Sequence, residues 1–361
     1  MPQINVFIPH HSNRKHLIPL FSSLLNMGLS SDQAEFILVD NGSADGSVDL
    51  VRRKFPLVKI HRFERNQGFA PALNQAVRAY DSEWACFLNN DVWVDPDWLP
   101  NLLFAAEKTK SPCAASHILD WTGKKTQFAG GWINLFGKGF ESSDILSREP
   151  YEIFFPCGGA MLIRRDVFLE AGGFDDEYFM LYEDVDLGWR LRLFGHKIYL
   201  APDAWVMHRG HASLKNEPYS RKAVFYERNS LATIYKNLSD ASLCIAMPLA
   251  LREAELRAHA LGGAGSPFRY SSDGLAMREA LADFFRLLPH WKEKHAFVQS
   301  RRKCSDEEIF KRFFPQPTQM WAYAEQHYRR IAWPQTFSQI WDIFQKASEE
   351  LGLIPSDEET A

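Results

Sequence analysis

Through about the first hundred residues, short apolar runs alternate with stretches in which apolar side chains recur every three or four positions. The runs Ile4 to Ile8, Phe36 to Val39, Val58 to His61 and Trp84 to Leu88 have the length and composition of strands. Between the first two, Leu17, Leu20, Leu24 and Leu25 recur at helical spacing. Such alternation predicts a parallel sheet covered by helices. From Ala114 to Phe155 the pattern weakens into aromatic and Gly-rich sequence, including Gly130-Gly131-Trp132, which predicts loops and short strands lining a cleft. Order returns at Cys157-Gly158-Gly159-Ala160-Met161-Leu162-Ile163, a Gly pair leading into a strand, and again at Lys197 to Leu200. Tyr219 to Leu238 reads as an amphipathic helix, with Arg221, Lys222, Arg228 and Lys236 among Phe225, Leu231 and Ile234. Helical patterns continue from Ala241 to Trp341.

Each early strand ends in polar residues, and open α/β sheets bind ligands at the carboxyl ends of their strands. Asp40 closes the second strand ahead of Asn41-Gly42-Ser43. It can cap that turn, or accept a hydrogen bond from a base or a ribose. After the third strand, Asn66-Gln67-Gly68-Phe69 forms a loop that is either a plain turn or a backbone cradle. The fourth strand delivers Asn89-Asn90-Asp91. A carboxylate emerging there from a buried strand needs donors or a cation such as Mg²⁺ or Mn²⁺, unless it caps the next turn. Downstream, Glu183-Asp184-Val185-Asp186 places three acids at a helix start that Gly195 brings to an end. Asp184 shares a stripe with Leu187, Leu191 and Phe194 and so turns inward, whereas Asp186 is spaced to pair with Arg190 at i, i+4. His208 ends a further strand-like run.

Composition narrows the classes. With 361 residues, 46% hydrophobic and 14% aromatic, the chain can bury a large core. A net charge of −4 and a pI near 6.3 argue against a nucleic-acid binder. Five scattered cysteines form neither a zinc pattern nor a disulfide framework, which predicts a reducing compartment. The chain begins without a signal-peptide pattern, and Leu243 to Leu251 is too short to span a bilayer. A cytoplasmic protein is expected. Residues 286–312 hold eight Lys/Arg against four Asp/Glu, a surface that fits anionic lipid, a solvated face or a subunit contact.

Taken in order, Val39-Asp40-Asn41-Gly42-Ser43, Asn66-Gln67-Gly68-Phe69-Ala70, Asn89-Asn90-Asp91, Gly158-Gly159-Ala160, Glu183-Asp184-Val185-Asp186 and His208 resemble the motif series of family 2 glycosyltransferases of the GT-A fold, rhamnosyltransferase-like members above all. The resemblance implies an α/β GT-A catalytic domain over 1–240, while the helical patterns make 241–355 a helical region and the acidic, polar composition of 356–361 predicts a disordered tail. It implies donor contacts from Pro9, Asp40, Asn41, Asn66, Gly68, Asn89 and Asn90, a divalent metal (Mg or Mn) on Asp91 and His208, and acceptor-side roles for Gly158 and Gly159. Asp184 takes the place of the general base, with Glu183 beside it on the acceptor side. The partners so implied are a dTDP- or UDP-sugar and a glycan or lipid-linked acceptor, with peripheral contact to anionic membrane on the inner face of the cell membrane. One departure is Asn89, which stands where the family's Asp-x-Asp motif has its first acid and removes a charge near the metal. A nucleotidyltransferase is the rival enzyme class, though His10-His11-Ser12-Asn13-Arg14 is a poor phosphate loop. A non-catalytic sugar-nucleotide-binding or scaffold protein is the other rival, and Asn89 is what favours it.

Overall fold

The computed structural model describes residues 2–134, 136–210, 219–261, 272–313, 339, 342–343, 345–346 and 348–351. The tail 356–361 lies outside the described residues. Two compact units are present: residues 1–131, 141–191 and 196–216 form the first, and residues 132–140, 192–195 and 217–361 the second. The second unit therefore begins ahead of residue 241.

The first unit is built on one mixed sheet. Its strands are β1 (Ile4–His10), β2 (Ala34–Asn41), β3 (Lys59–Phe63), β4 (Trp84–Leu88), β5 (Val92–Val94), β6 (Cys113–Asp120) and β7 (Thr126–Phe128). After a two-stranded hairpin of β8 (Gly131–Ile133) and β9 (Gly139–Glu141), whose residues 132–140 belong to the second unit, the sheet resumes with β10 (Tyr151–Glu152), β11 (Ala160–Arg164) and β12 (Ile198–His208). The strand order is β10-β12-β6-β11-β4-β1-β2-β3, with β5 on β12 and β7 on β6. Strands β1 to β4 pair in parallel, as the alternating pattern predicts, but β11 runs antiparallel between β4 and β6. The weak-pattern region contributes a central strand, β6, whose Cys113, Ala114 and Ala115 are fully buried. Small residues are what that crowded position admits, and they blur the strand signal.

Helices α1 (Leu17–Leu25), α2 (Ser47–Lys54), α3 (Phe69–Ala79) and α4 (Trp98–Thr109) follow strand ends, and each buries one apolar face. After α5 (Arg165–Glu170), α6 (Glu183–Leu193) is buried on nearly every side by Val185, Leu187, Trp189 and Leu191. Asp186 and Arg190 are therefore enclosed together. Arg190 donates to Asp186 Oδ2 at 2.9 Å and caps the end of the preceding segment through the carbonyls of Ala171 and Gly173. This is the i, i+4 pair that the spacing predicts.

The second unit contains α7 (Tyr219–Asn237), α8 (Asp240–Leu261), α9 (Ser272–Arg286), α10 (Leu288–Gln299) and α11 (Asp306–Phe313). Val224, Ala276 and Ala280 form one cluster, and Ala254, Ala258 and Met277 another. Of the four cations predicted for the face of 219–238, Arg228 and Lys236 are buried within this unit. Glu227 receives Lys138 Nζ at 2.5 Å and Arg257 at 2.8 Å. Burial alone would raise Glu227, but these two cations overcome it and hold its carboxyl at about 2. No helix among the described residues is long and apolar enough to cross a membrane.

Truncating Asp186 to Ala leaves the Arg190 charge buried without its carboxylate, which costs about 3–5 kcal/mol. The urea midpoint of the variant is expected to fall accordingly, whereas Asp49→Ala, at an exposed ion pair, should barely move it.

Candidate active site

The carboxyl end of β4 meets the amino end of β11, and this junction assembles the site. Ala160 pairs with Leu88, and Asn89 N–H donates to the Gly159 carbonyl at 2.8 Å. A Cβ at Gly159 would come 2.6 Å from Asn89 Nδ2, so any side chain there would displace the Asn89 amide. The neighbouring Gly158 N–H donates to Asp184 Oδ2 at 2.8 Å, and Val185 N–H donates to Asp184 Oδ1 at 2.8 Å.

Asp184 and Glu183 are adjacent yet differ in setting. Asp184 keeps partial solvent access in the first turn of α6. Burial raises its carboxyl, and the N–H groups of Gly158 and Val185 oppose that rise. Glu183 is buried and its Oε2 has no hydrogen-bond partner. Burial first, and then the Asp184 charge, push its carboxyl well above the ordinary range. The two carboxyls thus differ in what opposes their burial: Asp184 has the N–H groups of Gly158 and Val185, whereas Glu183 Oε2 has no hydrogen-bond partner.

Ahead of α6, Phe179, Leu181 and Tyr182 all have positive φ, at 61°, 68° and 73°. Each such residue costs of order 1–3 kcal/mol, a strain that marks functional loops. The Phe179 carbonyl receives Phe69 N–H at 2.6 Å. Gly68, with φ 98°, lies against the Phe179 ring, where a Cβ would come within 2.6 Å.

On the other side, Asp91 is buried and its Oδ1 lies 3.3 Å from His208 Nε2. A carboxylate oxygen and an imidazole nitrogen so placed are donors of the kind a hard divalent cation accepts, two of them leaving the rest of its shell to other ligands. No group of three or more His, Cys, Asp or Glu that could hold a metal occurs among the described residues. His16 is buried nearby: burial lowers its pKa, the Asp91 charge opposes this, and its Nδ1 has no hydrogen-bond partner. Arg209 follows His208, its guanidinium stacked on Trp121 at 3.5 Å from the ring centre.

The remaining predicted donor residues tie loops together. His10 lies 2.7 Å from both Asn90 Nδ2 and Ser47 Oγ, and burial lowers it to about 4, so the ring is neutral. It accepts from Asn90 and donates to Ser47, joining the ends of β1 and β4 to the start of α2. Asp40 is wholly buried, accepts from Ser43 N–H at 3.2 Å and faces Arg62 Nε at 3.1 Å. Asn41 grips the next loop through Asn66 Oδ1, the Gly68 carbonyl and Gln67 N–H. Pro9 and Asn66 retain open surface.

The model of glycosyl transferase family 2 matches residues 5–172. An N-acetylglucosaminyl-diphospho-decaprenol L-rhamnosyltransferase of Mycobacterium tuberculosis is 26% identical over 233 residues, covering 56% of this chain and 76% of the relative. The rhamnosyltransferase WbbL of Escherichia coli is 26% identical over 164 residues, 42% of this chain and 62% of its own. Residues 5–172, a little under half of the chain, thus carry a glycosyltransferase family 2 domain. A crystal structure of GalNAc-T7 with UDP, GalNAc and Mn²⁺ matches this glycosyltransferase with a TM-score of 0.55 at 17% identity. The match covers 70% of this chain and about half, 51%, of that longer one, and it shows the GT-A fold.

Glu141, at the end of β9, escaped the sequence reading. Crowding by the protein, and then the Asp184 charge, push its carboxyl up to about 7 while His208 pulls it down. Its side chain is exposed, and it lies within electrostatic reach of Asp184 and His208. Nothing in the Gly- and aromatic-rich stretch around it points to a site. His16 was hidden in the same way by an ordinary helix start.

The raised Glu183 predicts a pH signature. The folded state holds the proton more tightly than the unfolded chain, so this contribution to stability is full below the ordinary glutamate range. It is lost as pH rises through the raised folded value. Glu183→Gln is expected to raise the melting temperature at pH 9 relative to the parent and to leave it nearly unchanged at pH 4. Equal shifts at both pH values would contradict this.

Proposed function

We propose that the enzyme transfers a sugar, with inversion, from a nucleoside-diphosphate donor to a hydroxyl of a glycan or lipid-linked glycan in surface polysaccharide synthesis. The observation that carries this reading is Asp184: a carboxylate open to the cleft, oriented by two backbone N–H groups. Glu141 lies within electrostatic reach of both Asp184 and His208.

In this mechanism the acceptor hydroxyl approaches Asp184, which takes its proton as the new C–O bond forms. The bond from the anomeric carbon to the diphosphate breaks on the opposite face, and the electron pair leaves with the diphosphate. General-base assistance of this kind contributes about 10²–10⁴-fold. Asp91 and His208 would hold a Mg²⁺ or Mn²⁺ ion, which when bound supplies positive charge to the leaving group. Glu183, protonated, supports the loop and the acceptor side. Asp40 and the loop that Asn41 holds receive the nucleotide, for which dTDP or UDP is proposed. Rhamnose is the leading donor sugar because two relatives carry rhamnosyltransferase in their names. A lipid-linked acceptor places the enzyme in the cytoplasm, at the inner face of the cell membrane. Exposed Arg286, Lys292, Arg301, Lys303 and Lys311 support contact with anionic lipid there.

Asp184→Asn is expected to lower kcat by about 10²–10⁴-fold while leaving donor affinity within about twofold. Transfer assays with a panel of dTDP- and UDP-sugars, together with calorimetric donor binding, read both quantities; unchanged kcat would remove Asp184 as the base. Asp91→Ala should abolish the gain in donor affinity that Mn²⁺ confers on the parent enzyme. Donor affinity that is indifferent to Mn²⁺ in the parent would overturn the metal assignment.

A further inference from the structure

His208 is held from behind by a residue with no assigned role. Gln127 Oε1 lies 2.9 Å from His208 Nδ1, and Gln127 Nε2 donates to the His208 main-chain carbonyl at 3.4 Å. The second contact decides the orientation of the first. A carbonyl only accepts, so the amide NH₂ must face it, and the amide oxygen must then face the ring. An amide oxygen also only accepts, so His208 Nδ1 carries the hydrogen. In the neutral ring Nε2 is then the lone-pair nitrogen, and it is the atom 3.3 Å from Asp91 Oδ1. Facing a carboxylate oxygen at this distance, that nitrogen must either take a second proton or share a cation with it.

The backbone is shaped to deliver Gln127. Ile118 of β6 pairs with Phe128 of β7 and the next residue, Leu119, pairs with Thr126. One step on β6 therefore spans two on β7, and Gln127 is the extra residue of a β-bulge. Bulges re-aim a side chain that regular alternation would place elsewhere. Here the re-aimed side chain reaches His208, whose own strand pairs with the other edge of β6 at Asp120.

We infer that Gln127 is a positioning residue that locks His208 in the Nδ1–H tautomer and so presents Nε2 as a ligand for a divalent cation. This rests on the proposed metal role of Asp91 and His208. Ligating imidazoles commonly donate their other N–H to a fixed acceptor, and loss of that acceptor weakens metal binding about 10–100-fold.

The test uses the full chain labelled with ¹⁵N-histidine, with His208→Ala to assign the signal. Long-range ¹H–¹⁵N spectra of the metal-free protein at pH 8 report the tautomer directly. The parent is expected to show His208 as Nδ1–H; an Nε2–H tautomer would overturn the inference without any Gln127 variant. Gln127→Met, which keeps the side-chain length, should mix the tautomers, and Gln127→Glu, which keeps the acceptor, should restore Nδ1–H. An unchanged tautomer in Gln127→Met would also overturn it. Mn²⁺ titration followed by the free-ion electron paramagnetic resonance signal, in the presence of UDP or dTDP, gives the second readout. Affinity should fall about 10–100-fold in Gln127→Met and be retained in Gln127→Glu. If His208→Ala weakens Mn²⁺ binding but Gln127→Met does not, the inference fails and the metal assignment stands. If His208→Ala has no effect, both fail together.

Discussion

The site depends on a reversal of strand direction at the centre of the sheet. Parallel strands β1 to β4 end at one edge, and antiparallel β11 begins there, so that Gly158 and Gly159 emerge beside Asn89, Asn90 and Asp91. Had β11 run parallel to β4, its amino end would lie at the far side of the sheet. The antiparallel pairing brings a backbone N–H to Asp184 and fixes the approach at Asn89 in one stroke. The two buried glycines meet a geometric requirement of that junction before they meet any need of a substrate.

Charge burial then separates acids that are neighbours in sequence. Asp186 is wholly buried but has the Arg190 fork, which also serves two carbonyls. Asp184 has two N–H donors and an open side, whereas Glu183 has neither a cation nor a donor at Oε2. A helix start tolerates all three because its own N–H groups favour negative charge. Which acid keeps its proton is decided by what surrounds it, and none of that is local to the sequence.

Much of the fold was legible in the chain. The four early strands, the helices between them and the Asp186–Arg190 pair follow from periodicity and spacing, because each is fixed by contacts near in sequence or by alternation on a buried surface. The central strand β6 was not, since Ala and Ser at its core positions carry little strand signal. At the site, the strand-end residues could be named, but their division of labour could not. Asn41 and Asn90 spend their amides on loop-to-loop bonds with Asn66, Gly68 and His10, which join segments 25 to 80 residues apart. Glu141, His16 and Gln127 come from stretches with no motif, and only tertiary structure brings them near the cleft.

The bulge in β7 has a consequence for how this family member can diverge. The exposed turn at 122–125 between β6 and β7 is free to lengthen or change, because its side chains face solvent and its backbone closes on itself through Asp120 and Lys125. Strand β7 lacks that freedom. Deleting one residue from its three would erase the extra position and return the strand to strict alternation. A histidine could then persist at the end of β12 while its backing was lost, so two homologues with the same visible motif could differ in how tightly they hold an ion. The length of β7, rather than the presence of the histidine, is the feature to compare between relatives.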